Sequence, residues 1–272
     1  MSVPLEDLFE DIIGKAQRGL KLSDHELVTR ADIDMPAVAR LRNGSGTRNE
    51  VSVLATALGL KPEPLWESFQ RNWKPDTIAL DGLEQINTDL LGMTVNTYVL
   101  WDTSSRVAAL FDAGIEPATL AAIIDRHGLS LQSIFITHTH EDHVAGLEEI
   151  VSRTGARARV YAPAGEPIPG AKNVQEGDRF TIGALQIEAR LTNGHSPGGT
   201  SYVVHGLSRT VAVVGDSLFA GSMGGAPSAY PLAIKNNREK LLTLPDDTII
   251  CPGHGPMTTV ANERQHNPFV AD

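Results

Sequence analysis

The spacing of hydrophobic residues divides the chain into two segments. Up to about residue 72, apolar residues recur at helical intervals, beginning with Leu5, Leu8 and Phe9. Helix starts and stops are marked by capping pairs, such as Ser23 with Glu26, and by glycines that follow helical runs. We therefore predict a small all-helical domain over residues 1–72. Its helices are expected over residues 24–31, 35–42 and 49–58.

From about residue 75, short β-prone runs alternate with helical ones. This alternation predicts an α/β domain over residues 75–272. Because the linker over residues 73–76 is short, the two domains are expected to touch, with Trp66, Phe69 and Trp73 filling an apolar patch. Strands are expected over residues 94–100, 107–111, 133–137, 185–191, 201–204, 211–214 and 248–251, and helices over 117–127, 144–153 and 232–242.

The composition is that of an ordinary globular protein, with 41% hydrophobic and 21% charged residues. No run of eighteen apolar residues is present, and the acidic N-terminus lacks the basic region of a secretory signal, so no membrane association is expected. The single cysteine, Cys251, is expected in the core and suits a cytoplasmic location. The net charge of −10 disfavours broad nucleic-acid binding.

The strongest chemical signal is a group of histidines and aspartates in the middle of the chain. His138, His140, Asp142 and His143 follow directly on the apolar run at 133–136. A loop lets such close neighbours converge, whereas a strand would alternate them between its two faces. Neutral imidazole and carboxylate are ligands that zinc, iron and manganese accept. The spacing therefore predicts a metal site at the end of this strand.

Four ligands in one loop cannot complete the coordination of two metals, so others are expected at further strand ends. His195, Asp216 and His254 each follow a predicted strand and lie beside glycine, which permits close approach of metal or substrate. Any one of them alone is more often a solvated loop or turn residue, and the metal interpretation depends on their joint occurrence. His25 and His266 lack such support and are expected on the surface.

With these residues the sequence resembles the metallo-β-lactamase superfamily, and within it the glyoxalase II-like hydrolases. The His-x-His-x-Asp-His motif at 138–143 carries the resemblance, which covers residues 75–272. It implies an αββα sandwich and two divalent metal ions, with zinc as the first expectation and iron or manganese as alternatives. By this resemblance, His138, His140 and His195 hold one metal, Asp142, His143 and His254 hold the other, and Asp216 bridges both.

The resemblance implies a hydrolase that attacks a small thioester or ester with a metal-bridging hydroxide. Two neighbouring cations lower the pKa of water enough for hydroxide to exist near neutral pH. Asp142 and Asp216 are the expected catalytic carboxylates, which orient this nucleophile. The sequence departs from the family after Asp216, where Phe219 to Pro227 replace the usual Gly-Arg-Thr-Asp continuation. It also ends before the region that holds glutathione in long glyoxalase II enzymes.

Residues 23–60 resemble the helix-turn-helix domains of Cro and phage repressors. In such domains the second helix, here 35–42, enters the major groove, and Arg40 and Arg42 would lie near it. However, Asp34 would face the phosphates, and the first domain has nine Lys and Arg against eleven Asp and Glu. This balance favours a dimerisation or packing module over a DNA reader, and we expect a homo-oligomer.

Two further functions stay open beside hydrolysis. Persulfide dioxygenases share the fold and the motif but use one iron held by two histidines and one aspartate, so metal content distinguishes them. In a regulator, the metal domain would sense a small molecule and the helical domain would bind DNA. The acidic charge disfavours the nuclease activity of RNA-processing members.

Overall fold

The structure is a computed structural model that describes residues 3–90, 93–114, 117–154 and 159–271. Met1, Ser2 and Asp272, at the outer ends of the two predicted domains, lie outside the described residues. Within the described part, five helices precede the first strand. They are α1 (Phe9–Gly19), α2 (Asp24–Ala31), α3 (Met35–Arg42), α4 (Arg48–Leu58) and α5 (Pro62–Gln70).

The strands that follow form two sheets, each with six strands within the described ranges. The first sheet runs in chain order through β1 (Leu83–Leu90), β2 (Met93–Trp101), β3 (Val107–Phe111), β4 (Ser130–Phe135), β5 (Arg159–Pro163) and β6 (Lys172–Val174). The second contains β7 (Arg179–Ile182), β8 (Leu185–Leu191), β9 (Thr200–His205), β10 (Val211–Gly215), β11 (Ile249–Pro252) and β12 (Thr258–Thr259). The helices between the strands are α6 (Pro117–His127), α7 (Glu141–Val144), α8 (Leu147–Thr154) and α9 (Tyr230–Asn236), and α10 (Val260–His266) follows the last strand.

The two sheets pack face to face and helices cover their outer faces, which confirms the predicted αββα sandwich. Neighbouring residues of β9 show the layering. Tyr202 and Val204 lie in the core between the sheets, whereas Val203 lies in a separate core on the outer face of the second sheet. On the outer face of the first sheet, Leu120 of α6 and Ile150 of α8 close a third core.

Helices α1–α5 belong to the helical layer that covers the second sheet. Their buried residues, among them Phe9 and Leu65, share one hydrophobic cluster with Val203 of that sheet. The expected contact across the linker is therefore present, and Trp66 and Phe69 pack on the cluster as predicted. The domain boundary itself stays a prediction, and the cluster continues across it.

The ends of the helices follow their sequence signals. Ser23 caps α2, and Asp34 caps α3 by accepting a hydrogen bond from Ala37 N at 2.7 Å. Gly59 ends α4 with a left-handed φ of 66°. Helix α5 begins at Pro62, because proline fits the first turn, where no backbone donor is needed.

Two elements are interrupted or end earlier than predicted, at positions where a backbone N–H donates a hydrogen bond to the loop after β3. Strand β4 ends before Thr137, because the backbone N–H of Thr137 donates to Asp112 Oδ1 at 2.7 Å. The helix expected over 144–153 is split at Gly146, whose N–H donates to Ala113 O at 2.8 Å.

The helix expected over 232–242 also changes form along its length. After α9 it widens into a π-helical turn over Asn237–Leu241. The junction lets Asn236 donate to Asn193 O and Asn237 donate to Ser217 O, each at 2.7 Å. The hydrophobic pattern alone does not predict β1, β5, β6, β7 or β12, which are short or mix polar with apolar residues. No helix in the described ranges is long and apolar enough to cross a membrane.

Candidate metal centre

All seven predicted ligands lie at one edge of the sandwich, where several strands end. His138 and His140 follow β4, Asp142 and His143 lie on α7, and His195, Asp216 and His254 follow β8, β10 and β11. Their donor atoms form two groups, each spanning at most 4.8 Å. One group contains His138, His140, His195 and Asp216, and the other contains Asp142, His143 and His254. We call these seven residues the ligand cluster, and their role as metal ligands stays a prediction.

The first group has the spacing of ligands around one metal. His140 Nδ1 lies 3.0 Å from both His138 Nε2 and His195 Nε2. His195 Nε2 lies 3.4 Å from Asp216 Oδ2. Metal–nitrogen bonds of about 2.0–2.1 Å in a tetrahedron separate neighbouring ligand atoms by about 3.3 Å. The four side chains therefore fit a tetrahedral divalent cation with only small adjustments.

The second group is connected to the first through Asp216. His254 Nε2 lies 3.4 Å from Asp142 Oδ2 and 3.4 Å from Asp216 Oδ2. The other oxygen of Asp216, Oδ1, lies 3.3 Å from His143 Nε2. Because its carboxylate faces histidines of both groups, Asp216 has the position of a bridging ligand.

Two atoms of the ligand cluster are buried without a hydrogen-bond partner among the described residues. They are His143 Nε2 and Asp216 Oδ1, which face each other without the geometry of a hydrogen bond. Leaving a polar group buried and unsatisfied costs about 1–3 kcal/mol. A bound cation would satisfy both atoms, so the donor set fits a metal at this position.

Three histidines of the cluster are oriented through their second ring nitrogen. His143 Nδ1 pairs with Asp112 Oδ2 at 2.7 Å, His195 Nδ1 with Gly225 O at 2.9 Å, and His254 Nδ1 with Thr94 O at 2.6 Å. Such hydrogen bonds fix the tautomer that presents Nε2 to a metal and increase the basicity of the ligand.

Asp112 is a functional candidate that the sequence analysis missed. Besides holding His143, its carboxylate accepts hydrogen bonds from Thr137 N at 2.7 Å and Thr137 Oγ1 at 2.8 Å. Its backbone is left-handed, with φ of 59°, a strained conformation that often accompanies functional sites. A signal was available, since Asp112 directly follows β3 just as Asp216 directly follows β10.

Burial and neighbouring charges set the protonation of the cluster. Burial, aided by repulsion from neighbouring histidines, lowers the pKa of His138 to about 2, which keeps its imidazole neutral. Burial also opposes the charged forms of His143 and His254, but carboxylates led by Asp112 and Asp216 outweigh it and raise their pKa values to about 10 and about 11. A metal would take the place of these protons.

Two glycines allow the backbone to approach the cluster. A Cβ on Gly253 would lie 2.2 Å from Asp216 Oδ1 and 2.6 Å from His143 Cε1. A Cβ on Gly224 would lie 2.8 Å from His195 Nδ1. Any side chain at these positions would therefore displace a predicted ligand.

The remaining predicted residues lie away from the cluster. Cys251 is fully buried and His25 is exposed, as expected. His266 was expected on the surface, but its side chain is only 14% exposed, because it lies on α10 where that helix packs against α5. Its Nδ1 lies 2.6 Å from Glu67 Oε2, and its ring stacks on Trp73 at 4.7 Å.

The arginines near the helix-turn-helix-like α3 are paired with acidic residues. Arg40 contacts Glu50 at 2.9 Å, Arg42 contacts Asp24 at 3.1 Å, and Arg48 pairs with Glu63. Each partner belongs to the same group of helices, so the positive charge near α3 is compensated locally.

Comparison with known proteins agrees with this geometry. The sequence profile of the metallo-beta-lactamase superfamily matches residues 91–254. The probable metallo-hydrolase YqgX of Bacillus subtilis is 31% identical over 197 residues, which cover 64% of this chain and 92% of that protein. The hydroxyacylglutathione hydrolase of Brucella ovis is 35% identical over 159 residues, which cover 57% of this chain and 60% of that protein. Among solved structures, the BLEG-1 B3 metallo-beta-lactamase superposes with a TM-score of 0.61 at 26% identity, covering 70% of this chain and all (100%) of its own.

Proposed function

The chain belongs to the metallo-beta-lactamase superfamily, and on that premise we propose that it is a binuclear metallohydrolase of a small thioester or ester. The observation that carries the proposal is the ligand cluster, whose donor atoms fall into two adjoining groups with Asp216 facing both. The orphaned atoms His143 Nε2 and Asp216 Oδ1 support a cation between them.

Each residue of the cluster has a proposed role. His138, His140 and His195 would hold one metal, Asp142, His143 and His254 the other, and Asp216 both. The pair of divalent cations, with zinc favoured and iron or manganese as alternatives, supplies a hydroxide at neutral pH and a Lewis acid for the carbonyl oxygen. Asp112 keeps His143 in the tautomer that presents Nε2 to the metal.

Access to the cluster is consistent with hydrolysis of a substrate that enters from solvent. His140 is exposed, so the first group opens to the surface on its side. Asp142 is 18% exposed and Asp216 is 8% exposed. We infer that both carboxylates orient the nucleophile by accepting its hydrogen bonds, and that Asp142, the more exposed of the two, accepts the proton released when water becomes hydroxide and passes it to solvent.

The substrate class is proposed from the relatives. Similarity to a hydroxyacylglutathione hydrolase favours a thioester, but the chain spans only 60% of that relative. By the resemblance, the segment from Phe219 to Pro227 also differs from the usual continuation after Asp216. We therefore propose the substrate class as a small thioester or ester. Cytoplasmic location, homo-oligomerisation and DNA contact stay predictions.

Metal analysis combined with a substrate panel tests the proposal. Protein purified without chelator is expected to contain more than one equivalent of metal and to hydrolyse members of a thioester, ester and lactone panel. A value of one iron per chain with oxygen consumption on a persulfide would support a mononuclear dioxygenase instead. A metal-loaded protein that is inactive on the whole panel would contradict the proposed hydrolase.

A further inference from the structure

Residues 219–225, which we call the site loop, contact one predicted ligand from each group. At one end of the loop, Gly225 O lies 2.9 Å from His195 Nδ1. At the other end, the ring of Phe219 meets the ring of His254 edge to face, with 5.6 Å between the ring centres. Because a backbone carbonyl fixes the first ring, its orientation follows the backbone of the site loop. A residue that fixes the site loop therefore also influences the positions of two predicted ligands.

Glu263 of α10 binds the middle of the site loop. Its side chain is fully buried, and its Oε2 accepts a hydrogen bond from Gly221 N at 3.0 Å. Thr258 Oγ1 and Asn267 Nδ2 donate to the same carboxylate, each at 2.8 Å. Asn267 Nδ2 also donates to Ser222 O at 2.7 Å. Two consecutive residues of the site loop are thus bonded to this buried polar group.

The carboxylate of Glu263 is costly to bury. Burial raises the pKa of Glu263 to about 7, although the hydrogen bonds from Asn267, Thr258 and Gly221 oppose this rise. Packing of α10 alone would not require a carboxylate, since an apolar side chain fills such a position without the cost of desolvating a charge. The direct bond to Gly221 N accounts for a carboxylate here, because it fixes the loop that contacts the ligand cluster.

The helical segment and the linker also hold the site loop, which limits what the loss of Glu263 can do. Lys15 Nζ of α1 donates to Met223 O at 3.0 Å. The ring of Trp73 packs on Gly221, where a Cβ would lie 2.9 Å from Trp73 Cζ3. Without the Glu263 carboxylate the loop would therefore loosen around Gly221, while its other contacts remain.

We propose that Glu263 is a positioning residue for the metal centre, which acts through the site loop on His195 and His254. Its carboxylate fixes the middle of the loop, and the two ends of the loop hold these two histidines. The proposal rests on the metal centre and the hydrolase function proposed above. Because Glu263 is not one of the predicted ligands, its loss should change the geometry of the centre and leave the number of ligands the same.

The test compares Glu263→Gln with Asp102→Asn in the full-length protein. Each change replaces a buried carboxylate, which accepts hydrogen bonds from three groups, with an amide of nearly the same size. The donors to Asp102 are Ser104 N at 3.0 Å, Ser105 Oγ at 2.6 Å and Ala184 N at 3.0 Å. Asp102 follows the last residue of β2, whereas Thr94, whose carbonyl holds His254, lies near the first. The control therefore removes a comparable carboxylate at the far end of the strand from the ligand cluster.

Glu263→Gln is expected to weaken zinc binding about tenfold, the low end of the range for partners that orient ligands, because it acts one step further away. Cobalt(II) gives a second measurement, since its visible absorption depends on the geometry of its ligands, and the spectrum should differ from that of wild type. Hydrolysis should fall about tenfold through kcat with little change in KM, because the effect lies at the metal centre. Asp102→Asn should lower the stability but keep the wild-type zinc affinity and cobalt spectrum.

The outcomes separate this proposal from the proposed function. Wild-type zinc affinity and cobalt spectrum in Glu263→Gln, or the same changes in Asp102→Asn, would overturn the positioning role. Neither measurement needs a substrate, so both decide the role of Glu263 even if no member of the panel is hydrolysed, a result that would contradict the hydrolase function alone. A wild-type protein that binds neither zinc nor cobalt would overturn the metal centre and this role together.

A second variant covers the case in which Glu263→Gln does not fold. Thr258→Val removes one hydrogen bond to the Glu263 carboxylate and nearly keeps the shape of the side chain. It should change the cobalt spectrum and weaken zinc binding by less than tenfold. A cobalt spectrum and zinc affinity identical to those of wild type would then overturn the proposal.

Discussion

The ligand cluster and helix α3 were both marked by familiar sequence motifs, yet they use polar residues in opposite ways. In the cluster, side chains from four loop regions converge, and His143 Nε2 and Asp216 Oδ1 are buried without a partner among the described residues. Around α3, Arg40 and Arg42 pair with Glu50 and Asp24 of neighbouring helices.

This difference distinguishes a candidate metal site from a surface whose charged groups already have ion-pair partners. Buried polar groups in folded proteins almost always have hydrogen-bond partners, so this pair fits the metal site proposed above. Exposed ion pairs add little stability and require no ligand. A helix-turn-helix pattern alone therefore says less about function than the state of its charged groups.

The largest effect is expected from Asp216→Asn. This change removes charge from the carboxylate that faces both groups while nearly keeping its size. We expect loss of one metal and at least a hundredfold lower hydrolysis, on the order of 2.7 kcal/mol or more in the barrier. Elemental analysis and steady-state kinetics on the same preparation measure both. Activity within threefold of wild type would reduce Asp216 to a turn residue and remove the contrast with α3.

A smaller effect should come from the contact between α1 and α9, at Gly19 and Tyr230. A Cβ on Gly19 would lie 2.4 Å from the ring of Tyr230, whereas one on Gly14 would meet only the movable end of Arg18 at 3.0 Å. Gly19→Ala should destabilise the protein by about 1–3 kcal/mol through overpacking. Gly14→Ala in the same helix should stabilise it by about 0.5–1 kcal/mol.

Chemical denaturation of the two alanine variants measures this difference. If both variants were equally stable, the helical segment would not pack on Tyr230 as described. Loss of metal from Gly19→Ala alone would show that this packing also supports the ligand cluster.

The smallest effect is expected at the arginines of α3. Arg40→Ala should lower the free energy of unfolding by about 0.2–1 kcal/mol, because Arg40 and Glu50 form an ion pair at the protein surface. Arg153→Ala, which breaks a surface pair with Glu149, is a matched control. Gel-shift titrations over a range of salt should show no tight DNA complex with wild type. A complex that weakens steeply with salt and is lost in Arg40→Ala would instead establish DNA binding.

The fold class and the seven residues of the ligand cluster could be predicted from the sequence, because strand ends and ligand types are local signals. His195, Asp216 and His254 each follow a strand, and parallel pairing of β10 with β11 places two of those ends side by side. The sequence could not predict that Gly225 O orients His195 and Thr94 O orients His254, since every residue has a backbone carbonyl. Nor could the sequence place Lys15 of α1 against the loop after Asp216, where Lys15 Nζ donates to Met223 O at 3.0 Å.

The hydrophobic cluster beneath helices α1–α5 has a consequence for the order of folding. Phe9 and Leu65 share it with Phe269 and Val270, and Lys61 N donates to Pro268 O at 2.8 Å. During synthesis the helices leave the ribosome long before these partners do. We therefore expect their apolar face to stay exposed until residues 268–270 have been made. Closure of this layer is therefore a long-range event, and such contacts slow folding because the intervening loop must be ordered first.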